Sequence, residues 1–173
     1  MAAPIEIDVW QGGIAELEVD ALVVGATESL FMNAGAAAAV ARHGGVEIER
    51  AAVEQGPIAP GAAVATTAGT LAAGYVIHAV AVGHDRRADP DQLRRAVRSA
   101  LAFVPPLQLR RVAFSLLGTE HGAFDPAEAA EILVVTLHES AIEPLESVVV
   151  ATANVAETRA VAAVLAAHRA GIR

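Results

Sequence analysis

The chain has 173 residues, 54% of them hydrophobic and 18% charged, and its formal net charge is −8. This composition excludes intrinsic disorder and suits a single domain, residues 1–173, with a hydrophobic core. The twelve basic residues are all arginines and form no basic run interleaved with aromatics, so we expect no general nucleic-acid binding. Because the chain has no cysteine, disulfides, thiolate metal sites and a cysteine nucleophile are excluded as well.

The N-terminal stretch MAAPIEIDVW has neither the basic nor the apolar region of a signal peptide. The longest apolar stretches, such as AGAAAAVA, are too short to cross a bilayer. We therefore expect a cytoplasmic protein with no membrane partner. No metal site is expected, because the zinc-binding spacings H-x-x-x-H and H-E-x-x-H do not occur. No cofactor is expected either, and the sequence leaves the oligomeric state open.

The first half of the chain alternates strand-like stretches with alanine-rich ones. Apolar and polar residues alternate in IEIDVW, which predicts a half-buried strand over residues 5–10. The apolar run ALVVGA predicts a buried strand over residues 21–26. Two segments that end at glycines predict helices over residues 34–45 and 46–56. A turn rich in proline and glycine then leads into a strand at residues 62–67.

The second half continues the alternation with longer helices. The stretch GYVIHAVAVG predicts a buried strand over residues 75–82. Apolar residues recur at helical spacing over residues 89–104, where Asp89 caps the helix and Pro90 lies in its first turn. The remaining predicted elements are strands at 110–117 and 147–152 and helices at 126–139 and 154–170. This order predicts an α/β fold with a mostly parallel or mixed sheet and helices on both faces.

Glycine-bearing turns follow three of the predicted strands, at the edge where open α/β sheets bind their ligands. They are VVGATESLFMNAGAAAAV, LLGTEHGAFDP and TTAGTLAAG. A turn of this kind before a helix directs several backbone N–H groups to one point, and the helix dipole adds partial positive charge. Two such turns are able to hold a diphosphate without a lysine. A purely structural role explains each glycine equally well, because a glycine often ends a strand or begins a helix.

The chain resembles the macrodomain family, whose members are ADP-ribose-binding modules, over nearly its whole length. The matching segments are GGIAELEVDALVVGAT, MNAGAAAAVARHGG, GPIAPGAAVATTAGTLAAGYVIHAV, AFSLLGTEHGAF and SVVVAT. The resemblance implies a three-layer α/β/α fold with a mixed central sheet. It also implies a small-molecule partner, a nucleotide such as ADP-ribose. It places Gly35 in a first phosphate-binding loop and residues 118–124 in a second one.

The same resemblance implies ligand contacts at both phosphate loops and at the adenine end of the site. In the second loop, the backbone N–H groups of residues 118–122 would bind the diphosphate, and Phe124 would lie against the distal ribose. The implied ligand-binding residues are Gly13, Ile14, Ala26, Asn33, Ala34, Gly35, Ala36, Leu117, Gly118, Thr119, Glu120, His121, Gly122, Ala123, Phe124 and Thr152.

Several residues depart from the pattern of the family. Gly13 stands where the family has an aspartate that accepts a hydrogen bond from the adenine amino group, so adenine selectivity is expected to be weak. Thr27 replaces an asparagine that contacts the distal ribose, and Glu120 replaces a glycine of the second loop. A carboxylate at Glu120 repels a diphosphate unless it points to water. No aromatic residue near Thr152 is present to stack on adenine.

Three functions are compatible with this sequence. The first is binding of ADP-ribose or a related nucleotide diphosphate through the two phosphate loops. The second is hydrolysis, in which Thr27 or His121 would orient a water molecule to remove ADP-ribose or an acyl group from an ADP-ribose derivative. The replacement of the family asparagine by Thr27 disfavours this hydrolytic function. The third is a degenerate macrodomain that serves as an interaction module without a nucleotide.

The other histidines indicate structure rather than chemistry. His78 lies in a predicted buried strand, where a core histidine with satisfied hydrogen bonds is expected. His84 belongs to the segment HDRR, residues 84–87, which predicts a solvated loop. The histidines on predicted helices have no spacing that would bring two ligands to one metal ion.

Overall fold

The computed structural model describes residues 3–171, and within this range a central sheet lies between two layers of helices. The six strands of the sheet are β1 (Glu6–Gln11), β2 (Ala21–Gly25), β3 (Ala63–Thr67), β4 (Tyr75–Ala79), β5 (Arg111–Ser115) and β6 (Ser147–Thr152). The helices are α1 (Gly35–Gly44), α2 (Val46–Glu54), α3 (Pro90–Leu101), α4 (Val104–Leu107), α5 (Pro126–Ser140) and α6 (Val155–Arg169). Short 3-10 turns, Ile14–Glu16 and Glu120–Gly122, follow β1 and β5. The predicted three-layer α/β/α fold is confirmed.

The strands lie in the order β1-β6-β5-β2-β4-β3 across the sheet. Neighbouring strands are parallel except β3 and β4, which are antiparallel, so the sheet is mixed as predicted. At the centre, Val23 of β2 lies between Phe114 of β5 and Ile77 of β4. The carboxyl ends of the five parallel strands therefore meet at one edge of the sheet, which is where open α/β sheets bind ligands.

Strand β2 is buried on both of its faces, which explains its continuous apolar sequence. Ala21 and Val23 pack in a core with residues of α3, α5 and α6. Leu22 and Val24 pack on the other face, in a core with residues of α1 and α2. Burial of each valine or leucine side chain stabilises the fold by about 1.5–3 kcal/mol. The end of β2 is therefore held firmly between the two helical layers.

The helix predicted over residues 89–104 is shorter in the structure, because α3 ends at Leu101 and a separate short helix, α4, begins at Val104. Pro105 and Pro106 explain the division, since proline has no N–H group and is accommodated only in the first turn of a helix. Asp89 caps α3 as predicted, and its carboxylate accepts hydrogen bonds from two backbone N–H groups of the first turn.

In the part of the chain that the structure describes, no helix combines the length and the apolar character that crossing a bilayer requires.

Candidate ligand-binding cleft

A cleft of about 930 Å³ opens at the carboxyl edge of the sheet, and this volume is typical of sites for small molecules. Gln11, Gly25, Ser115 and Thr152 line it at the ends of β1, β2, β5 and β6. The start of α1 and the loops that follow β4 and β5 complete its walls. The parallel strands thus deliver four chain segments to one site, and the loops after them decide its chemistry.

The N-terminus of α1 lies in the cleft without a side chain to cap it. Asn33, Ala34, Gly35 and Ala36 line the cleft, and the N-cap residue Ala34 makes no side-chain hydrogen bond. Helices α3, α5 and α6, in contrast, are each capped by a side chain. Gly35 has a φ of +58°, which glycine adopts without strain as the chain enters the helix. The first N–H groups of α1 and the positive end of its dipole are therefore suited to an anion.

The loop between β2 and α1 is anchored at both ends. The N–H group of Ala26 donates to a carbonyl at the end of β4, at 2.9 Å. The N–H group of Met32 donates to the carboxylate of Glu49 on α2, at 2.6 Å. Between these anchors, the Thr27 hydroxyl lies 3.2 Å from the hydroxyl of Ser29, and Thr27 lines the cleft. The residue that was predicted to orient a water molecule thus lies at the cleft wall.

The second predicted phosphate loop also reaches the cleft, through Thr119, Glu120 and His121. Two of its backbone N–H groups already have partners inside the loop. Gly118 donates to the Glu120 carboxylate at 2.6 Å, and Gly122 donates to the Thr119 carbonyl at 3.0 Å. His121 is exposed and has a φ of +54°, in the left-handed region. At least two of the five predicted amide donors, those of Gly118 and Gly122, are therefore engaged within the loop itself.

The side chain of Glu120 points into the cleft instead of towards water. Its carboxyl group lies against Gly25, so that a Cβ atom on Gly25 would be only 2.7 Å from the Glu120 Cδ atom. Burial raises the pKa of Glu120 above its ordinary value, and the charge of Glu157 raises this pKa further. Hydrogen bonds from the N–H groups of Glu120 itself and Gly118 lower the same pKa by less. The cleft therefore holds a carboxyl group that is costly to ionise.

The opposite end of the cleft is formed by the turn after β1. Gly13 is exposed there, Ile14 is buried, and both line the cleft. Thr152 lies beside this turn with its hydroxyl 2.7 Å from that of Thr158 on α6. Thr152 is buried and its side chain is tied to the fold. This end therefore offers mainly backbone and apolar surface, and Gly13 contributes no side-chain acceptor to it.

The structure brings most of the predicted site residues together in this one cleft. Those that line it are Gly13, Ile14, Ala26, Thr27, Asn33, Ala34, Gly35, Ala36, Thr119, Glu120, His121 and Thr152. Within residues 3–171, the predicted ligand residues that lie outside this lining are Leu117, Gly118, Gly122, Ala123 and Phe124. Phe124 is 2% exposed and packs in the core with α3 and α5, so its contact with a ribose stays a prediction.

The cleft lining also contains residues that the sequence did not single out, among them Phe31, His84, Arg86 and Glu157. Phe31 is 50% exposed, and a lone aromatic residue between two glycine-bearing segments is the signal that could have found it. The loop at residues 84–87 is exposed, as predicted, but it also borders the cleft. The His84 N–H group donates to the Glu28 carboxylate at 2.7 Å, which holds this loop against the one before α1. Arg86 thereby brings a positive charge to the cleft.

Comparison of the sequence with known families and proteins gives a consistent result. The family model described as Macro domain matches residues 23–133. An uncharacterized protein of Mycobacterium tuberculosis is 35% identical over 163 residues, which are 94% of this chain and 45% of that protein. The chain thus spans about half the length of its mycobacterial relatives. The O-acetyl-ADP-ribose deacetylase of Cronobacter turicensis is 35% identical over 141 residues, covering 77% of this chain and 79% of the enzyme.

Solved structures share the fold of the chain at lower sequence identity. The Oceanobacillus iheyensis macrodomain with ADP superimposes with a TM-score of 0.85 at 21% identity, covering 99% of this chain and 97% of its own. The Trypanosoma brucei macrodomain in complex with ADP-ribose gives a TM-score of 0.83 at 23% identity, covering 92% and 69%. These similarities show that the chain shares the three-layer α/β/α fold of these macrodomains.

Proposed function

Because the chain belongs to the Macro domain family, we propose that it binds ADP-ribose or a related nucleotide diphosphate in the cleft at the carboxyl edge of its sheet. Two structural neighbours were solved with such ligands, the Trypanosoma brucei protein with ADP-ribose and the Oceanobacillus iheyensis protein with ADP. Those ligands were bound by the neighbours, so the case for similar binding by this chain depends on the residues of its own cleft.

The observation that carries the proposal is the uncapped N-terminus of α1 inside the cleft. The N–H groups of Gly35 and Ala36 would donate to one side of a diphosphate, with the helix dipole adding to the attraction. The N–H groups of Thr119 and His121 would donate from the other side, and Arg86 would supply a full positive charge nearby. The protein as a whole carries a net charge of −8, so an anion is attracted by these local groups and not by the overall field.

The adenine would lie at the opposite end of the cleft, on Ile14 and beside Thr152. Phe31, exposed at the rim, is able to cover the ribose or the base, because aromatic faces pack on flat groups with little entropy cost. Specificity for adenine would then depend on backbone and apolar contact, since Gly13 has no side chain to read the amino group.

Calorimetry with ADP-ribose, ADP, AMP and ribose 5-phosphate tests the proposal. We expect ADP-ribose and ADP to bind, with AMP and ribose 5-phosphate weaker, because only the first two place a diphosphate between both loops. Thermal unfolding should agree, since a ligand at one hundred times its Kd stabilises the fold by about 2.7 kcal/mol, which raises Tm by a few degrees. Absence of both heat and Tm change at millimolar ADP-ribose would contradict the proposal.

Gly13→Asp is expected to tighten ADP-ribose about tenfold to a hundredfold. A charge-assisted hydrogen bond to the adenine amino group is worth about 1.5–3 kcal/mol, and the site has room, since a Cβ on Gly13 has no neighbour closer than 3.8 Å. Calorimetry on the wild type and the variant should find ribose 5-phosphate unchanged. Gly13→Ala is the matched control, because it adds the Cβ atom without an acceptor.

The inosine analogue of ADP-ribose decides how this prediction is interpreted. It lacks the amino group, so Gly13→Asp should not improve its binding. If the wild type already binds ADP-ribose below micromolar and rejects the inosine analogue, another residue reads the base and Gly13 is not the cause of weak selectivity.

A second candidate function, deacylation of an ADP-ribose ester, is favoured by the relative named O-acetyl-ADP-ribose deacetylase. Thr27 and His121 both line the cleft, from opposite loops, so a ribose held between the loops would lie near both. In this function either side chain would orient a water molecule towards the ester carbonyl. A hydroxyl is able to accept a hydrogen bond from that water, whereas an imidazole is able to accept either a hydrogen bond or the proton itself.

Thr27→Val is expected to lower the rate of acetate release from O-acetyl-ADP-ribose at least tenfold while ADP-ribose affinity changes less than threefold. The substitution keeps the shape of the side chain and removes its hydroxyl, so it separates chemistry from binding. His121→Gln should behave similarly if the imidazole is the acceptor, with His43→Gln as its control, because His43 is exposed on α1 and outside the cleft lining. Wild-type protein that releases no acetate, although it binds ADP-ribose, would rule this second function out.

A further inference from the structure

The Glu120 side chain occupies the cleft that the proposed ligand needs. Its Oε2 atom accepts a hydrogen bond from the Gly118 N–H group at 2.6 Å. A carboxylate oxygen and a phosphate oxygen both accept a hydrogen bond from a backbone N–H group, so they compete for the same donor. The loop therefore satisfies one of its own anion-binding donors with its own side chain.

Gly25 makes this position of Glu120 possible. A Cβ atom on Gly25 would overlap Oε1 of Glu120 and lie 2.7 Å from its Cδ atom. Gly25 belongs to strand β2, and it is not among the glycines with positive φ, so its backbone does not require glycine. What Gly25 contributes is the missing side chain, which leaves space at the cleft floor for a carboxyl group from a loop that is distant in the sequence.

The charges around Glu120 do not pair with it. Glu157 of α6 lines the same cleft, and its carboxylate accepts a hydrogen bond from the Ala153 N–H group at 2.8 Å. Burial raises the pKa of Glu120, and the charge of Glu157 raises it further by less. The remaining charged or titratable residues in the cleft lining are His84, Arg86 and His121. The ion pairs of the described chain include none with Glu120.

We propose that the Glu120 carboxyl group is an internal competitor for the anion-binding part of the cleft, which a nucleotide diphosphate must displace in order to occupy the space beside Gly25. This inference rests on the proposed function, because it concerns the affinity of that same site. Glu120 then sets the affinity and the selectivity of the site, because its carboxyl group disfavours ligands that place a negative group in the space beside Gly25. Since the carboxyl group is the flexible end of a long side chain, rotation about its own bonds is enough to clear the site.

The expected consequence is a reduced apparent affinity in the wild type. If the cleft is competent only while Glu120 is turned out, the apparent Kd rises in inverse proportion to that competent fraction. Removing the carboxyl group should therefore tighten ADP-ribose at least tenfold. Adding a methyl group at Gly25 should also tighten it, because Glu120 is then excluded from the same space while its charge is retained.

The experiment is calorimetry with ADP-ribose on four proteins: wild type, Glu120→Ala, Gly25→Ala and the double variant. We expect each single variant to bind at least tenfold more tightly than the wild type, and the double variant to gain no more than Glu120→Ala alone. Such non-additivity identifies two residues that act through one contact. Glu128→Ala is the matched control, because Glu128 is exposed in the first turn of α5 and outside the cleft lining, and its affinity should equal that of the wild type.

Glu120→Gln keeps the test decisive if an alanine variant does not fold. Its amide retains the shape of the side chain without the charge, so we expect an intermediate gain in affinity. Circular dichroism and Tm identify variants that are folded before their affinities are compared. The competitor role of Glu120 is disproved, and the proposed function stands, in either of two cases. In the first, the wild type binds ADP-ribose and the affinities of the Glu120 variants are within twofold of it. In the second, the effects of Gly25→Ala and Glu120→Ala on the free energy of binding are additive. If no protein of the series binds ADP-ribose, the proposed function fails, and this inference fails with it.

Discussion

Acidification from pH 7 to pH 4 is expected to reduce the free energy of unfolding by up to about 3 kcal/mol through His78 alone. His78 is fully buried in β4, and burial lowers its pKa from 6.5 to about 4. Its Nε2 atom lies 2.9 Å from the Thr66 hydroxyl, whereas its Nδ1 atom has no hydrogen-bond partner in the described structure. The expected core histidine is therefore buried as predicted, but only one of its two nitrogens is satisfied.

The sign follows from the two protonation equilibria. Above pH 6.5 the imidazole is neutral in both the folded and the unfolded chain, and its contribution to stability is complete. Between pH 6.5 and about pH 4, His78 is protonated in the unfolded chain but stays neutral in the folded chain. The free energy of unfolding therefore decreases as the pH is lowered through this range. Below this window both forms are protonated and the loss is complete.

Urea unfolding at pH 7.5, 5.5 and 4.5 measures this loss, and His78→Gln isolates it. The amide of glutamine is able to keep the hydrogen bond to Thr66 but does not titrate, so its stability should fall less over the same range. His43→Gln, at an exposed position of α1, should keep the wild-type dependence. Parallel pH dependences of the wild type and His78→Gln would show that His78 is not responsible.

Gly35→Asp is expected to weaken ADP-ribose binding about tenfold to a hundredfold relative to Gly35→Asn. The two side chains have the same shape, and both tolerate the left-handed φ of +58° better than other residues with a Cβ. A Cβ atom at Gly35 meets no neighbour within 4 Å, so neither should disturb the fold. They differ in one negative charge beside the proposed diphosphate, and this repulsion is worth about 1.4–2.8 kcal/mol in a partly screened site.

Calorimetry at low and high salt separates the charge from any steric effect. Salt screens exposed charges, so the difference between the aspartate and asparagine variants should shrink as ionic strength rises. Equal affinities of the two variants at low salt would mean that the diphosphate does not approach the N-terminus of α1.

The strands and the two glycine-bearing turns at the cleft were predictable because their signals are local. The run at residues 21–24 is apolar without interruption, which is typical of a strand buried on both faces, and it is such a strand. Gly35 begins a helix after a strand, and it does so in the structure. The break between α3 and α4 was also signalled in the sequence by Pro105 and Pro106, but the helical spacing of the apolar residues predicted one helix that continues to Val104.

The direction of the Glu120 side chain was not predictable, because it depends on contact between distant segments. The sequence indicates that a carboxylate in the second loop repels a diphosphate unless it points to water. It does not indicate that Gly25 leaves space for that carboxylate, or that the Gly118 N–H group binds it. Phe31 and Arg86 enter the cleft for a similar reason, since their loops are brought to it by the order of the strands.

A crystal structure of the protein grown with ADP-ribose tests the central claim most directly. We predict a diphosphate within hydrogen-bond distance of the N–H groups of Gly35 and Ala36, the adenine on Ile14, and the Glu120 carboxyl group moved away from Gly25. ADP-ribose bound elsewhere on the surface, or a cleft without ligand at saturating ADP-ribose, would contradict the claim that this cleft is a nucleotide diphosphate site.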